Sequence, residues 1–185
     1  MPRLILPDTR YLASYVKAMR EGFCFGICPI LPEDEIKKIE VDPFDHFEGY
    51  NRQGGTFTPT DGIPRPSVHH NFYWLVDDKD FIGAISVRYE LNDFLEIHAG
   101  HLGYGIRPAM KRKGFAKKIV SLGLKKLKEK GVTRVLITAD DDNIGSWKAI
   151  EANGGVMENK IPSIFTEGHL SRRYWIDLAK EEKNE

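Results

Sequence analysis

The chain has 185 residues, with 27 Lys plus Arg against 27 Asp plus Glu and a mean hydropathy of −0.39. A formal net charge of zero gives no support for bulk binding of nucleic acid or an anionic membrane. No apolar run approaches the roughly 20 residues that cross a bilayer, and the length suits one domain, 1–185, with one sizeable core.

The N-terminal stretch has a brief apolar run but no signal-peptide architecture, so a cytoplasmic location is expected. Asp8 or Thr9 caps a first helix to about residue 20, with Leu12, Tyr15, Val16 and Met19 on one face. Cys24 and Cys28 have C-x-x-x-C spacing, which is neither a C-x-x-C redox motif nor half of a zinc site. They read as partly buried apolar side chains, with acyl-cysteine or redox chemistry as the alternative. Residues 22–71 are punctuated by Gly and Pro and read as irregular, with a short helix near 33–40. Such a long loop is the expected substrate lid.

Residues 72–76 and 81–88 read as two strands of a hairpin around the polar turn 77–80. A third strand covers about 100–107, and a helix runs from 114 to 130. Its stripe is Ala116, Ile119, Val120, Gly123, Leu124 and Leu127, with Lys117, Lys118, Lys125, Lys126 and Lys128 on a solvated face. Gly131 ends it. Residues 134–139 form a near-continuous apolar strand, as at the buried centre of a sheet. Asn143 caps a helix to about 152, closed by Gly154 or Gly155. A last strand spans 173–178, and 180–185 is a charged, frayed tail.

The most informative stretch runs from Gly103 through Ile106-Arg107-Pro108 and Lys111-Arg112-Lys113 to Gly114-Phe115-Ala116. It reads as a strand, a basic loop and a helix start. The free N–H groups and partial positive charge of a helix start cradle phosphate. Gly114 lets a ligand approach the backbone, and the basic patch 107–113 suits a small anionic ligand. Neither a P-loop nor a dinucleotide fingerprint is present.

This arrangement resembles the acyl-CoA signature of the GNAT superfamily of N-acetyltransferases, [RQ]-x-x-G-x-[GA] after a strand ending in an apolar residue-x-Pro. Lys111 stands where the family usually has Arg or Gln. The resemblance extends over about 72–155, and the Asn143-to-Gly155 phrase is similar to a subgroup of uncharacterised predicted acetyltransferases. It implies an α/β (α+β) fold with a mixed, mostly antiparallel sheet flanked by helices, and a splayed strand pair holding acyl-CoA. It implies acetyl-CoA as cosubstrate, an amine acceptor and no metal. The cofactor-binding residues it implies are Ile106, Lys111, Arg112, Lys113, Gly114, Phe115, Ala116, Asn143 and Ser146. Asn143 also reads as a simple helix cap.

The resemblance further implies direct attack of the amine on the thioester, with the Ile106 backbone N–H as oxyanion donor. The amine must lose a proton first. His101 and Glu96 are the base candidates, with His98 behind them. On a regular strand His101 would share a face with Gly103 and Gly105. Ile150 stands where many family members have a Tyr acid, and Tyr104 and Tyr174 are the replacements to consider. A catalytically silent acyl-CoA sensor is the alternative function, the acceptor's identity is open, and so is homodimerisation through the C-terminal strand.

Overall fold

The computed structural model describes residues 1–25, 30–51, 53–58 and 62–179. Cys28 and the 180–185 tail lie outside them. The elements in chain order are β1 (Arg3–Ile5), a 3-10 turn (Thr9–Tyr11), α1 (Leu12–Arg20), α2 (Glu33–Val41), α3 (Pro43–Asn51), β2 (Thr56–Phe57), β3 (Arg65–Pro66), β4 (His70–Val76) and β5 (Phe81–Arg88). Then come α4 (Asp93–His98), β6 (Leu102–Ile106), a 3-10 turn (Pro108–Met110), α5 (Phe115–Glu129), β7 (Arg134–Asp140), α6 (Ile144–Glu151), β8 (Val156–Pro162) and β9 (Leu170–Asp177).

Among the described residues three antiparallel sheets result, in the orders β1-β4-β5-β6, β7-β9-β8 and β2-β3. The hairpin 70–88 turns where Asp77 Oδ1 accepts from the Asp80 and Lys79 backbone N–H groups, an Asx-type turn. Helices cover both faces of β4 and β5, so seven of the eight β5 residues are buried rather than alternating. One face sends Ile82, Ile85 and Val87 onto the apolar stripe of α5. Helix α5 presses close at Gly123, where an added Cβ would lie 2.6 Å from Ile85 Cδ1. The other face sends Trp74, Phe81 and Ala84 against α1, α2 and α3 in an aromatic core. Tyr15 stacks on Trp74 there, with centroids 4.5 Å apart.

The structure corrects several expectations. Residues 22–71 are not simply irregular: beyond the anticipated α2 they contain α3 and the β2–β3 pair. Helix α3 was hidden by Pro43 at its first position, which a helix tolerates. Strand β1 is three residues long, α4 is a six-residue helix, and β8 is nearly all exposed, so none has a readable apolar period. Cys24 is exposed rather than partly buried. Strand β9 lies between β7 and β8, paired on both sides, so it is not an edge strand. Among the described residues no helix is long and apolar enough to cross a membrane.

Candidate active site

Strands β6 and β7 are joined by α5, yet they do not form a ladder. One bridge, Gly100 to Ile137, links them. Beside it the His101 N–H donates to Leu136 O at 2.8 Å. On the other side of β6, the Arg107 N–H donates to Ile82 O at 2.9 Å. Antiparallel alternation then turns the N–H groups of Gly103 and Gly105 toward β5, and those of Tyr104 and Ile106 away from it. The Ile106 N–H therefore faces the gap between the two sheets and has no protein acceptor among the described residues.

The basic loop follows at once. Arg112 has φ 60 and Gly114 φ 81, two left-handed residues that curl the chain into α5. A Cβ at Gly114 would meet no atom within 4 Å. No side chain caps the helix, and the first acceptance is by Gly114 O from the Lys118 N–H at 3.1 Å. The N–H groups of residues 112–117 thus find no acceptor among the described residues. Lys111, Arg112, Lys113 and Gly114 are exposed, and Phe115 and Ala116 are half-buried. None of the three cations makes an ion pair among the described residues.

Arg107 does not belong to that patch. It is 3% exposed, and its Nε and Nη2 donate to Glu21 Oε2 and Oε1 at 2.8 and 2.7 Å. Its guanidinium holds the Glu21 carboxyl below the usual carboxylate range. The pair clips the end of α1 to the end of β6, a role the basic run concealed.

A cavity of about 690 Å³ opens through the gap. On one side it is walled by Ser86, Arg88 and Gly103, and on the other by Tyr104, Asn143 and Ser146. Asn143 caps α6, accepting from the Ser146 N–H at 3.2 Å. Tyr104 Oη lies 2.8 Å from Ser146 Oγ and donates to Ser146 O at 3.1 Å. Burial pushes the Tyr104 hydroxyl up to about 12. Asp140 is the cavity's carboxylate among the described residues, and its Oδ1 accepts from Ser171 Oγ at 3.0 Å.

The base candidates lie elsewhere. Glu96 and His98 sit on α4 rather than on a strand, and neither lines the cavity. Glu96 is exposed, and its carbonyl accepts from Arg173. His101 is 7% exposed, and its Nδ1 accepts from the Leu136 N–H at 3.0 Å. Desolvation lowers its pKa to about 4, and Arg88 nearby lowers it further. The open space expected beside the glycines is filled. Gly103 faces Arg88 and Phe25, and a Cβ at Gly105 would meet Cys24 O at 2.7 Å. His101 precedes β6 at a bend, so strand alternation does not govern it.

The remaining candidates are settled by their neighbours. Ile150 is fully buried in the core, so α6 presents no hydroxyl there. Tyr174 Oη donates to Glu151 at 3.0 Å, away from the cavity. Arg172 and Arg173 pair with Asp141 and Glu158. Among the cavity residues missed from sequence, Arg88 and Asp140 carry the opposite charges. Each ends a strand, and an arginine or aspartate at a strand end carries no motif.

Several solved structures share this fold. One is RimL, a ribosomal L7/L12 alpha-N-protein acetyltransferase in complex with coenzyme A, 13% identical with a TM-score of 0.61 over 96% of this chain and 94% of that one. Another is the spermidine/spermine N-acetyltransferase SpeG from Vibrio cholerae in mutant form, 16% identical with a TM-score of 0.60 over 97% and 96%. A third, from Salmonella typhimurium, modifies the N-terminal serine of ribosomal protein L7/L12, 13% identical with a TM-score of 0.59 over 95% and 94%. No curated protein sequence matches significantly. The model of the acetyltransferase (GNAT) domain matches residues 51–156, more than half of the chain, which spans the gap, the basic loop and α6. The chain belongs to the GNAT acetyltransferase family.

Proposed function

We propose that the protein is an acetyl-CoA-dependent N-acetyltransferase working by direct attack in a ternary complex. One observation carries the reading: the unpaired edge of β6 at Ile106 runs straight into an open helix start. The free N–H groups of residues 112–117 and the cations of Lys111, Arg112 and Lys113 would hold the pyrophosphate. Phe115 and Ala116 form the first turn behind them. Asn143 and Ser146 would border the pantetheine in the gap. The thioester would then reach the cavity beside β6.

The acceptor enters as an ammonium and must reach the free amine. Asp140 is the group we assign to hold that ammonium and pass its proton to solvent. His101 is a positioning residue in this scheme, because its Nδ1 lone pair is already taken by Leu136. The amine nitrogen bonds to the thioester carbon, and the Ile106 N–H receives the oxyanion. The C–S bond then breaks, the electron pair leaves on sulfur, and the attacking nitrogen gives up its second proton to the departing thiolate or to solvent. Tyr104, at about 12, lies well above a thiol near 8.5 and keeps its proton; its O–H would have to turn from Ser146 O to give the leaving sulfur a hydrogen bond.

Thermal unfolding with and without acetyl-CoA tests the reading. At about 100 times its dissociation constant the ligand stabilises by roughly 2.7 kcal/mol, or about 5–10 °C for a domain of this size. Absence of a shift at saturation would overturn it. Acetyl-CoA binding without amine-dependent thiol release would favour the sensor.

A further inference from the structure

Arg88 is a charged cavity residue that the transfer chemistry leaves unused. On β5, alternation places Ala84, Ser86 and Arg88 on one face. Ala84 packs into the aromatic core, whereas Ser86 and Arg88 reach the cavity. Arg88 Nη1 donates to Gly100 O at 3.0 Å, its one protein acceptor among the described residues. The guanidinium lies against Gly103, where an added Cβ would sit 3.4 Å from Nη2. No carboxylate pairs with it among the described residues, although Arg107 in the same sheet is bidentate to Glu21. Desolvation alone lowers the Arg88 pKa to about 10.

A desolvated guanidinium without a counter-charge is costly, and its planar fork matches a carboxylate. Arg88 lines a space that also has aromatic walls. Tyr50 stacks on Phe72 with centroids 4.1 Å apart, and Phe94 lies 6.0 Å from Phe57 and 6.4 Å from Phe165. Asp140 supplies the opposite charge in the same cavity.

We propose that the acetyl acceptor carries its own carboxylate on an apolar body, as a hydrophobic α-amino acid does, and that Arg88 binds that carboxylate. The inference rests on the acetyltransferase reading for the role of the cavity. A polyamine would bring only positive charge to Arg88. A peptide N-terminus presents an amide where the α-carboxylate would be.

The test uses phenylalanine, leucine and methionine, each beside its amide and its decarboxylated amine. Thiol release from acetyl-CoA gives kcat/KM, and thermal shifts give binding. The acids should exceed their amides on the order of 100-fold in kcat/KM. Amides are the less basic amines and hold more free base, so intrinsic reactivity would order them the other way. Arg88→Gln should lower kcat/KM for the acids on the order of 100-fold, leave the amides within about threefold, and keep the acetyl-CoA shift. Arg88→Lys, a point charge without the fork, should fall between.

Equal loss of acids and amides in Arg88→Gln would overturn the proposal. So would wild-type turnover that favours amides, simple amines or an N-terminal peptide. If Arg88→Gln does not fold, the wild-type series decides alone. Failure of the cofactor reading shows separately, as no acetyl-CoA shift in the wild type. The acid-against-amide thermal shifts then still report on Arg88.

Discussion

The phosphate arm and the acceptor cavity meet at one gap between strands, and they are built by opposite rules. The arm is contiguous, from Ile106 to Ala116, and what it offers is mostly backbone: open N–H groups around two left-handed residues. The cavity gathers side chains from β5, β6, β7, α6 and the segment around α3, elements far apart in the chain. The two arginines repeat the contrast. Arg107 lies within the arm's sequence, yet it is buried and held by Glu21; Arg88 has no motif around it, yet it reaches the cavity with no counter-charge among the described residues. Position in a basic run is therefore a poor guide to which cation meets a ligand. Burial and existing partners decide it.

The comparison breaks first at Gly114. Gly114→Glu places an anion over the open N–H groups and forces a side chain onto φ 81. We expect kcat/KM for acetyl-CoA to fall at least about 100-fold and the acetyl-CoA shift to vanish. Gly114→Asn, which tolerates a left-handed backbone, controls for strain. Unchanged binding in Gly114→Glu would remove the arm from cofactor recognition.

His101 sharpens the distinction between chemistry and positioning. Its pKa of about 4 in the fold lies below the ordinary 6.5. The folded chain therefore binds fewer protons between those values. The stability is present in full above about pH 6.5 and is lost as pH falls toward 4, on the order of 2–3 kcal/mol. His101→Asn keeps an acceptor for the Leu136 N–H but does not titrate. Denaturant melts at pH 7 and 4.5 should show that the wild type loses more than His101→Asn, with turnover little changed at pH 7. If turnover instead drops at least about 100-fold while stability holds, His101 returns to the role of base.

Glu21→Gln tests the claim that Arg107 is structural. Replacing the bidentate Glu21 by a neutral side chain leaves the buried guanidinium only the more distant Asp80, at 3.5 Å, and should cost about 2 kcal/mol, roughly 4–8 °C in Tm. The acetyl-CoA shift should persist on top of the lower Tm. If the shift disappears, Arg107 serves the arm and the contrast between the two arginines fails. The smallest effect belongs to Tyr104→Phe. Losing one hydrogen bond to a sulfur that leaves unaided should reduce kcat by less than about tenfold, with KM for acetyl-CoA nearly unchanged.

Much of the framework was legible because its determinants are local. The α5 stripe appears in the structure with Ile119, Val120, Gly123, Leu124 and Leu127 buried, and the lysines beside it mostly exposed. Asn143 caps α6 through its own side chain. The short elements failed for the same reason: β1 and α4 hold too few residues for a period to show. Naming Glu96 and His98 beside His101 as base candidates was a consequence of missing α4, which holds both.

The sequence by itself determined the hairpin, the α5 amphipathic face and the basic loop opening into a helix, because turn chemistry, 3.6-residue periodicity and glycine's left-handed freedom act between near neighbours. Tertiary structure alone decided which charges are spent and which remain. Glu21 reaches Arg107 across 86 positions and the Leu136 N–H reaches His101 across 35, while among the described residues no acid comes to Arg88. Those outcomes depend on strand register and on how α1 and β7 pack beside β6, and a long-range contact leaves no periodic trace in the chain that makes it.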